Sequence, residues 1–344
     1  MSRPPVLHIC NTFFEAELEN PDFFSSTRIS VEKEARDIPN RAKTASPHQQ
    51  VLAAWMRSHP IIQKLQTLPL YYVKDDDFVL VSDLPESPDH RLRLLGAPLH
   101  VKTIESWGAS KSIAAWAKEE NLPYSMPDWE TVRTVNSKIF SFCNSPVLPF
   151  AALLQNEQEA LEWIEKTPGR KVLKTAFGTA GRGHFHLPSK KNLASFLKRE
   201  FAKNLPLIGE PWVERVLDFS TQWKDSVLLG ATVFENAPDG AYRATIAGPR
   251  PQIFGSYNWA LEEHLAIVQP ILEKIRKLGF FGNLGVDAYV YRWESKEMLQ
   301  PIVEINARKT MSWVALQIQE KKYPGQSLRF SFSPKQGILL APIY

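Results

Sequence analysis

The sequence has few cysteines and no long apolar run. Its 344 residues include only Cys10 and Cys143, which are far apart and not in a metal-type spacing. The sequence therefore predicts no disulfide framework and no cysteine zinc site, and we interpret both cysteines as buried thiols. No apolar stretch approaches the roughly 20 residues that a membrane span requires. The first residues also lack the cleavage site of a secretory signal. We expect a cytoplasmic protein without a membrane partner.

A strong charge of either sign is also lacking. The formal net charge is +4, and the lysines and arginines are spread along the chain. The most basic segment, residues 189–203, places apolar residues at helical intervals with charges between them. It has no aromatic-basic binding pattern, so it predicts the solvated face of an amphipathic helix and no nucleic-acid partner.

The length and the order of elements predict an α/β protein of several parts, because 344 residues exceed the size at which one core stops growing. Val6–Cys10 is typical of a strand, and a polar loop and a helical pattern follow it, as in the first unit of an open α/β sheet. Tyr71–Val73 and Phe78–Val81 are predicted as strands around a solvated acidic tip at 75–77. The prolines in 121–132 predict the first domain boundary.

A glycine-rich segment follows a predicted strand that ends at Lys174. Its glycines are Gly178, Gly181 and Gly183. Glycine lets backbone N–H groups approach phosphate oxygens, and the lysine would add a positive charge to the same phosphates. The segment is not a Walker A motif, because no Lys-Ser or Lys-Thr pair follows the last glycine. A plain hairpin turn is the alternative. His184 and His186 alternate on the returning strand and, without a third ligand, are predicted as ordinary strand residues.

Two β-type runs near the end of the chain, Leu284–Trp293 and Met298–Asn306, predict an antiparallel hairpin. Glu304 and Asn306 are two residues apart, so they point to the same face of the strand. Asp287 lies where antiparallel pairing can bring it opposite Glu304. Carboxylate and amide oxygens suit a hard cation such as Mg²⁺. A solvated strand face is the alternative.

The order of these elements resembles that of the ATP-grasp superfamily over about residues 120–320. The order comprises Lys138, a second lysine with a glycine-rich loop, a hinge in the segment IGEPWVERVLDF, and the Asp and Glu-x-Asn of the hairpin. The run VNSKIFSF resembles peptide ligases of the pheganomycin-synthesis type, and the hinge resembles that of D-alanine–D-alanine ligase. The resemblance implies a pre-ATP-grasp α/β domain at 1–122, followed by an ATP-grasp fold of two α+β subdomains at 123–207 and 208–344.

The resemblance also implies a set of ATP-binding residues. They are Lys138, Lys174, Gly178, Gly181, Gly183, Glu210, Val213 and Asp218. The two lysines would contact the phosphates, and the glycine loop would close on the nucleotide. Glu210 would lie near the adenine amino group, and the backbone of Val213 would meet the ring. Asp218 stands one position from the family's ribose-binding glutamate, and Glu214 is the substitute.

For the reacting end of ATP, the resemblance implies Asp287, Glu304 and Asn306 as ligands of two Mg²⁺ ions. An arginine is expected two residues before Asp287, where this chain has Gly285. Another cation must then face the transferred phosphate. The candidates are Arg243, Arg250 and Arg308.

The implied activity is that of an ATP-dependent ligase that joins a small-molecule carboxylate to an amine through an acyl phosphate. ADP and phosphate would be released. A small-molecule kinase on the same scaffold and a non-catalytic nucleotide-binding regulatory module remain open alternatives, as does the formation of a homodimer. Arginines, amides and aromatics in 241–264 predict a loop-rich lining of the substrate pocket, with a surface loop as the alternative.

Overall fold

The computed structural model describes residues 3–20, 46–178, 183–189, 192–237, 240, 242–333 and 335–343. Contacts divide the chain into two compact units. The first comprises Met1–Val132 with Phe332–Leu339, and the second comprises Arg133–Ser331 with Leu340–Tyr344. The boundaries expected after residues 122 and 207 stay predictions. Within the described residues, no helix has the length and apolar character of a membrane span.

The first unit contains a parallel four-stranded sheet. Its strands are β1 (Val6–Ile9), β2 (Phe78–Val81), β3 (Leu92–Leu94) and β4 (Thr103–Ser106), in the order β3-β2-β1-β4. Its helices are α1 (Phe14–Glu19), α2 (Pro47–Arg57), α3 (Pro60–Leu65) and α4 (Lys111–Glu119). All four residues of β1 are buried, as expected for a short apolar strand inside a parallel sheet. The predicted open α/β sheet is confirmed.

The prediction of a hairpin around residues 71–81 was wrong. A 3₁₀ helix spans Leu68–Tyr71, and β2 pairs with β1 in parallel. Asp77 is not a solvated tip residue. Its carboxylate accepts hydrogen bonds from Nη2 of Arg3 at 2.6 Å and from the backbone N–H of Val6 at 2.9 Å. This buried carboxylate therefore ties the start of β1 to the residue before β2, a contact between residues more than 70 positions apart that local patterns do not reveal.

Two helices precede the sheets of the second unit: α5 (Trp129–Asn136), whose first residues belong to the first unit, and α6 (Lys138–Cys143). The smaller sheet has the order β5-β8-β6-β7, formed by β5 (Ala152–Leu154), β6 (Lys171–Lys174), β7 (His184–Leu187) and β8 (Leu207–Pro211). Its helices are α7 (Glu157–Lys166) and α8 (Leu193–Phe201). They cover the face that carries Leu173 and Phe185, so Lys174 points to the other face.

Cys10 is buried as predicted, but Cys143 is exposed, so that prediction was wrong.

The larger sheet has seven strands. They are β9 (Glu214–Lys224), β10 (Val227–Asn236), β11 (Tyr242–Ala247), β12 (Asn283–Trp293), β13 (Lys296–Asn306), β14 (Ser327–Ser333) and β15 (Gly337–Ile343), in the order β13-β12-β9-β10-β11-β14-β15. The helices are α9 (Arg250–Phe254), α10 (Asn258–Lys277) and α11 (Met311–Lys322). The hairpin predicted from 284 to 306 is confirmed as β12 and β13. The prediction that residues 241–264 are rich in loops was wrong, because a strand and two helices occupy most of this range.

Alternation separates the two faces of the larger sheet. Phe219, Val233 and Val290 join Phe254 and Leu261 in a core under α9 and α10. Their strand neighbours point to the opposite face, because successive side chains alternate. That face carries the polar residues of the candidate site, so the apolar residues that anchor the sheet also decide which carboxylates face the site.

A buried hydrogen-bond chain holds α10 against β9 and β13. Trp223 Nε1 donates to Thr221 Oγ1 at 2.9 Å, and Thr221 Oγ1 lies 2.7 Å from His264 Nε2. His264 Nδ1 lies 2.7 Å from the carbonyl oxygen of Pro301, which only accepts. Nδ1 therefore carries the proton, and Nε2 accepts from the Thr221 hydroxyl. Burial lowers the pKa of His264 to about 4.

We expect acid to weaken this contact. The folded pKa of His264 lies below the unfolded value of 6.5, so the unfolded state binds the proton first. The contribution to the free energy of unfolding is complete above pH 6.5 and is lost toward pH 4, by about 3 kcal/mol for a shift of this size. Urea denaturation of the wild type and His264→Gln should show the difference in stability shrinking across this pH range. Parallel pH profiles would contradict a neutral His264.

Candidate active site

One cleft of the second unit collects the polar residues of both sheets. It has a volume of about 220 Å³. Its lining includes both predicted lysines, Lys138 and Lys174, and all three predicted metal ligands. The lysines come from the start of α6 and the end of β6, and the metal ligands come from β12 and β13. Residues from distant parts of the chain therefore converge as the sequence pattern predicted.

The predicted metal ligands lie side by side on β12 and β13. Asp287 pairs directly with Glu304, and Asn306 Nδ2 donates to Asp287 Oδ2 at 3.0 Å. Burial, together with the neighbouring charge of Glu304, raises the pKa of Asp287 to about 6. Two carboxylates that repel each other in a buried position favour a cation between them. Two carboxylates and an amide form an oxygen donor set, so these residues fit Mg²⁺.

Lys138 connects the metal hairpin to the glycine-rich segment. Its Nζ donates to Glu304 Oε1 at 2.8 Å and to the carbonyl oxygen of Gly178 at 2.7 Å. The Lys138 backbone N–H donates to the carbonyl oxygen of Ala176 at 2.8 Å. Only 5% of the residue is exposed. A buried lysine needs charged or polar partners. Here one partner belongs to the hairpin predicted to bind Mg²⁺, and the other belongs to the glycine-rich segment predicted to bind phosphate.

Lys174 has a similar environment on the smaller sheet. Its Nζ lies 2.5 Å from Glu210 Oε2, and it pairs with His184 on β7. Burial, with the charges of Lys174 and Lys138, lowers the pKa of His184 to about 3. His184 is therefore neutral at ordinary pH. His184 and His186 lie in β7, so the predicted returning strand is confirmed, and His184 also lines the cleft. No cluster of three His, Cys, Asp or Glu residues suited to a metal occurs in the described part of the chain.

The glycine-rich segment is described at its two ends. Gly183 has φ +80°, and a Cβ there would lie 2.1 Å from Thr175 Oγ1, so only glycine fits. Gly178 also has a positive φ, of +135°. Gly181 lies outside the described residues. The glycines at both ends are thus required by the backbone, whatever the segment binds.

The hinge residue Glu210 lines a second, smaller pocket. Glu210 is in β8, and Val213 joins β8 to β9 and packs against Leu148 and Tyr289. The pocket has a volume of about 10 Å³ and is lined by Lys138, Phe142, Val147, Lys174, Ile208, Glu210, Gln300, Ile302 and Val303. A volume of this size matches a single water molecule and is too small for a purine base.

Asp218, rather than Glu214, faces the cleft. Asp218 Oδ1 accepts from Arg215 Nη1 at 2.9 Å, and both residues line the cleft. Glu214 is exposed and pairs with Arg292 at the surface. Arg215 also lies over the ring of Tyr289 at 4.2 Å. Sequence reasoning missed Arg215, and its only signal was its position directly after the hinge.

The three arginine candidates lie in different places. Arg308 lines the cleft, and its charge acts on Asp287. Arg243 is exposed, and it influences Glu235 rather than the metal residues. Arg243 lies at a register shift between β10 and β11 and, unlike Tyr242, is not among the residues that line the cleft. Arg250 is exposed at the start of α9. The structure thus brings only Arg308 of the three to the predicted metal ligands.

The absence of an arginine at position 285 has a steric explanation. A Cβ on Gly285 would lie 2.8 Å from Thr310 Cγ2 and 3.1 Å from the amide of Gln222. Thr310 Oγ1 donates to Gln222 Oε1 at 2.7 Å, and Gln222 Nε2 donates to Ser220 Oγ at 2.7 Å. Thr310 also caps α11 through the backbone N–H of Trp313. This hydrogen-bonded network occupies the space that a side chain at 285 would need.

We therefore expect Gly285→Ala to lower the free energy of unfolding by about 1–3 kcal/mol, as other overpacked sites do. Thr310→Ser removes the clashing methyl group and keeps the hydroxyl that caps α11 and bonds Gln222. Gly285→Ala combined with Thr310→Ser should therefore recover most of the loss in a thermal or urea unfolding assay. Equal instability of the single and double variants would show that the contact with Thr310 is not the cause.

Comparison with known proteins gives a fold. No protein-family model matches the sequence, and no curated protein matches it. N5-carboxyaminoimidazole synthetase from Staphylococcus aureus, solved with ADP, aligns with 79% of this chain and 80% of its own at 12% identity and a TM-score of 0.51. Carboxyaminoimidazole ribonucleotide synthase from Aspergillus clavatus, solved with ATP, aligns with 96% of this chain and 81% of its own at 14% identity, with a TM-score of 0.47.

At such low identity the likeness to the S. aureus structure shows the fold alone, and the weaker match adds no argument. The predicted fold class is confirmed: a parallel α/β domain comes first, and antiparallel sheets with helices follow it, as in the ATP-grasp fold. The roles of individual residues rest on the geometry of the cleft.

Proposed function

We propose that this chain is an ATP-dependent ligase that joins a carboxylate to an amine through an acyl phosphate and releases ADP and phosphate. One observation carries the proposal. Asp287 and Glu304 face each other on adjacent strands, and Lys138 bridges Glu304 to the glycine-rich segment. The same proposal includes three finer points. They are the formation of a peptide bond, the kinship with D-alanine–D-alanine ligase or the pheganomycin-type ligases, and the binding of two Mg²⁺ ions.

The arrangement of the cleft supports an extended path for ATP. The base would lie beside Glu210, and Asp218 would accept hydrogen bonds from the ribose hydroxyls. Lys174 and Lys138 would donate to phosphate oxygens, and the support for this role is that both are buried and line the cleft. Charge-assisted donors of this kind bind phosphate strongly. The path ends at the carboxylates of β12 and β13.

At that end the chain must bring two negative groups together, the γ-phosphate and the acid. Mg²⁺, held by Asp287, Glu304 and Asn306, would supply positive charge to the phosphates. Arg308 would orient the acid beside them. A carboxylate oxygen then attacks the γ-phosphorus, the bond to the β-phosphate oxygen breaks, and ADP leaves. The amine next attacks the acyl carbon, phosphate leaves, and the amine gives up its proton.

The products provide the test. With MgATP and the right acid, hydroxylamine in place of the amine should yield a hydroxamate together with ADP, because an acyl phosphate is electrophilic enough for it to intercept. Chromatography of the nucleotides and a colour test for the hydroxamate measure both, and a reaction without acid is the control. AMP and pyrophosphate would overturn the proposal. ADP with a stable phosphorylated acid and no hydroxamate would indicate a kinase. Binding of ATP without turnover on any acid would indicate a regulatory module.

A further inference from the structure

The cleft continues past the proposed ATP-binding residues toward β10 and β11. Across the sheet, Tyr289 pairs with Asp218, and Asp218 pairs with Phe234. On the next pair of strands, Asn236 pairs with Tyr242. Because neighbouring strands lie about 4.8 Å apart, Phe234 is about 10 Å across the sheet from Tyr289. The β10 and β11 end of the cleft is thus lined by residues to which the proposed function gives no role.

Two aromatic rings form the wall of this end. Phe234 and Tyr242 are half-buried, and their ring centroids are 6.3 Å apart at an interplanar angle of 78°. The Tyr242 hydroxyl is hydrogen-bonded to Thr245 Oγ1 at 2.9 Å, and burial raises the pKa of Tyr242 to about 12. Tyr242 is therefore neutral, its hydroxyl is engaged within the strand, and its ring lines the cleft.

The charged residues of the same two strands lie elsewhere. Glu235, between Phe234 and Asn236, pairs with Arg329 at 2.7 Å. Arg243, next to Tyr242, is exposed and influences Glu235. Neither Glu235 nor Arg243 is among the residues that line the cleft. Within the described residues of β10 and β11, the cleft lining consists of Phe234, Asn236 and Tyr242, which carry no formal charge at neutral pH.

Away from these rings, Arg308 lines the same cleft beside the metal residues. A substrate that spans both ends needs a carboxylate at Arg308 and an apolar body along the two rings. We propose that the acid substrate carries an aromatic group that packs against Phe234 and Tyr242, an inference that rests on the proposed function. Aromatic rings attract one another in edge-to-face and offset geometries beyond the effect of buried area, which favours an aryl group over an alkyl group.

The aromatic group belongs to the acid rather than to the amine, because the acid must be bound when ATP reacts. Formation of the acyl phosphate requires the carboxylate next to the γ-phosphate, and the amine reacts only after the acyl phosphate has formed. ADP release in the presence of hydroxylamine therefore reports on the acid subsite alone. A small acid such as glycine or bicarbonate has no apolar group to pack against the rings, so it gains nothing from the wall.

The experiment measures kcat/KM for ADP release by the full chain with MgATP and hydroxylamine. The acids are phenylacetate, L-phenylalanine, L-leucine, glycine, L-aspartate and bicarbonate. The better aryl acid should exceed glycine, L-aspartate and bicarbonate by about tenfold or more, as expected for a large apolar group in a fitted pocket. Phe234→Ala should lower the value for that acid by about tenfold, mainly through KM, and leave the KM for ATP unchanged.

Matched variants separate recognition from folding. Tyr242→Phe keeps the ring and should retain the preference for aryl acids, whereas Tyr242→Ala should reduce it. Leu229→Ala removes an exposed apolar side chain from the same strand as Phe234 and should change nothing. Thermal unfolding of each variant checks the fold. A variant that unfolds is replaced by Phe234→Leu, which fills the space without a ring and should lower the aryl preference.

The outcomes that overturn the inference are distinct. If small acids react as well as aryl acids, or if Phe234→Ala lowers kcat/KM equally for every acid, the aromatic subsite is wrong and the proposed ligase stands. A preference for L-leucine over both aryl acids would also show that the aromatic subsite is wrong, and it would leave the proposed ligase activity standing. If no acid supports ADP release, the proposed function fails and the subsite fails with it.

Discussion

Replacing Glu304 with glutamine should lower the rate of ADP formation by roughly 10³-fold while the fold survives, as for the loss of a major electrostatic group in an active site. Glutamine has nearly the same shape and still offers an oxygen to Lys138, whose Nζ now lies 2.8 Å from Glu304 Oε1. It removes the negative charge of the residue that lies opposite Asp287 in the hairpin. The site would then lose its attraction for Mg²⁺ and retain its packing.

The measurement is steady-state ADP release, with thermal unfolding as a check on the fold. Glu297→Gln is the matched control, because Glu297 is exposed on the same strand. That variant should keep wild-type activity. Wild-type turnover in Glu304→Gln, or equal losses in both variants, would remove Glu304 from the proposed metal site.

Lys174→Met should weaken ATP binding by about 10-fold to 100-fold, the range for a lost hydrogen bond to a charged group. Lys174 is 3% exposed and lies in the cleft opposite His184. Methionine fills a similar volume without the charge. Isothermal titration with ATP or ADP, in the presence of Mg²⁺, measures the change in Kd directly.

The substitution also removes the partner of Glu210, which lies 2.5 Å from Lys174 Nζ. The double variant Lys174→Met with Glu210→Gln leaves no unpaired carboxylate, and its comparison with Glu210→Gln alone separates the loss of Lys174 from any loss of the contact between Glu210 and the base. Nucleotide binding should stay weak in the double variant, while the stability recovers. Lys166→Met, on the exposed side of α7, is the control for a lost lysine. Normal ATP binding by Lys174→Met would mean that this lysine is structural.

Local patterns sufficed for much of the proposed site. Alternation along two adjacent strands places Glu304 and Asn306 on one face and allows Asp287 to lie opposite, and the observed register agrees. The positive φ of Gly178 and Gly183 likewise follows from a residue type that alone adopts it freely. These features depend on neighbours in sequence or on one hairpin, so they can be predicted from the local sequence.

Errors arose where a residue's environment depends on distant segments. The hairpin expected at 71–81 failed because β1, from the far N-terminus, pairs with β2 and gives Asp77 buried partners. Cys143 was expected to be buried, but it ends a short helix at the surface. The local sequence does not state which strand or solvent face such residues will meet.

The sequence by itself determined the hairpin of β12 and β13, the shared face of Glu304 and Asn306, and the glycines that the backbone requires, because these follow from short-range sterics and periodicity. Only the tertiary structure decided that Thr310 and Gln222 occupy the space beside Gly285, that Arg215 and Arg308 line the cleft, and that Arg243 does not. The physical reason is that these outcomes depend on which long-range contacts exclude water and fill space, and such contacts exist only after the chain has packed.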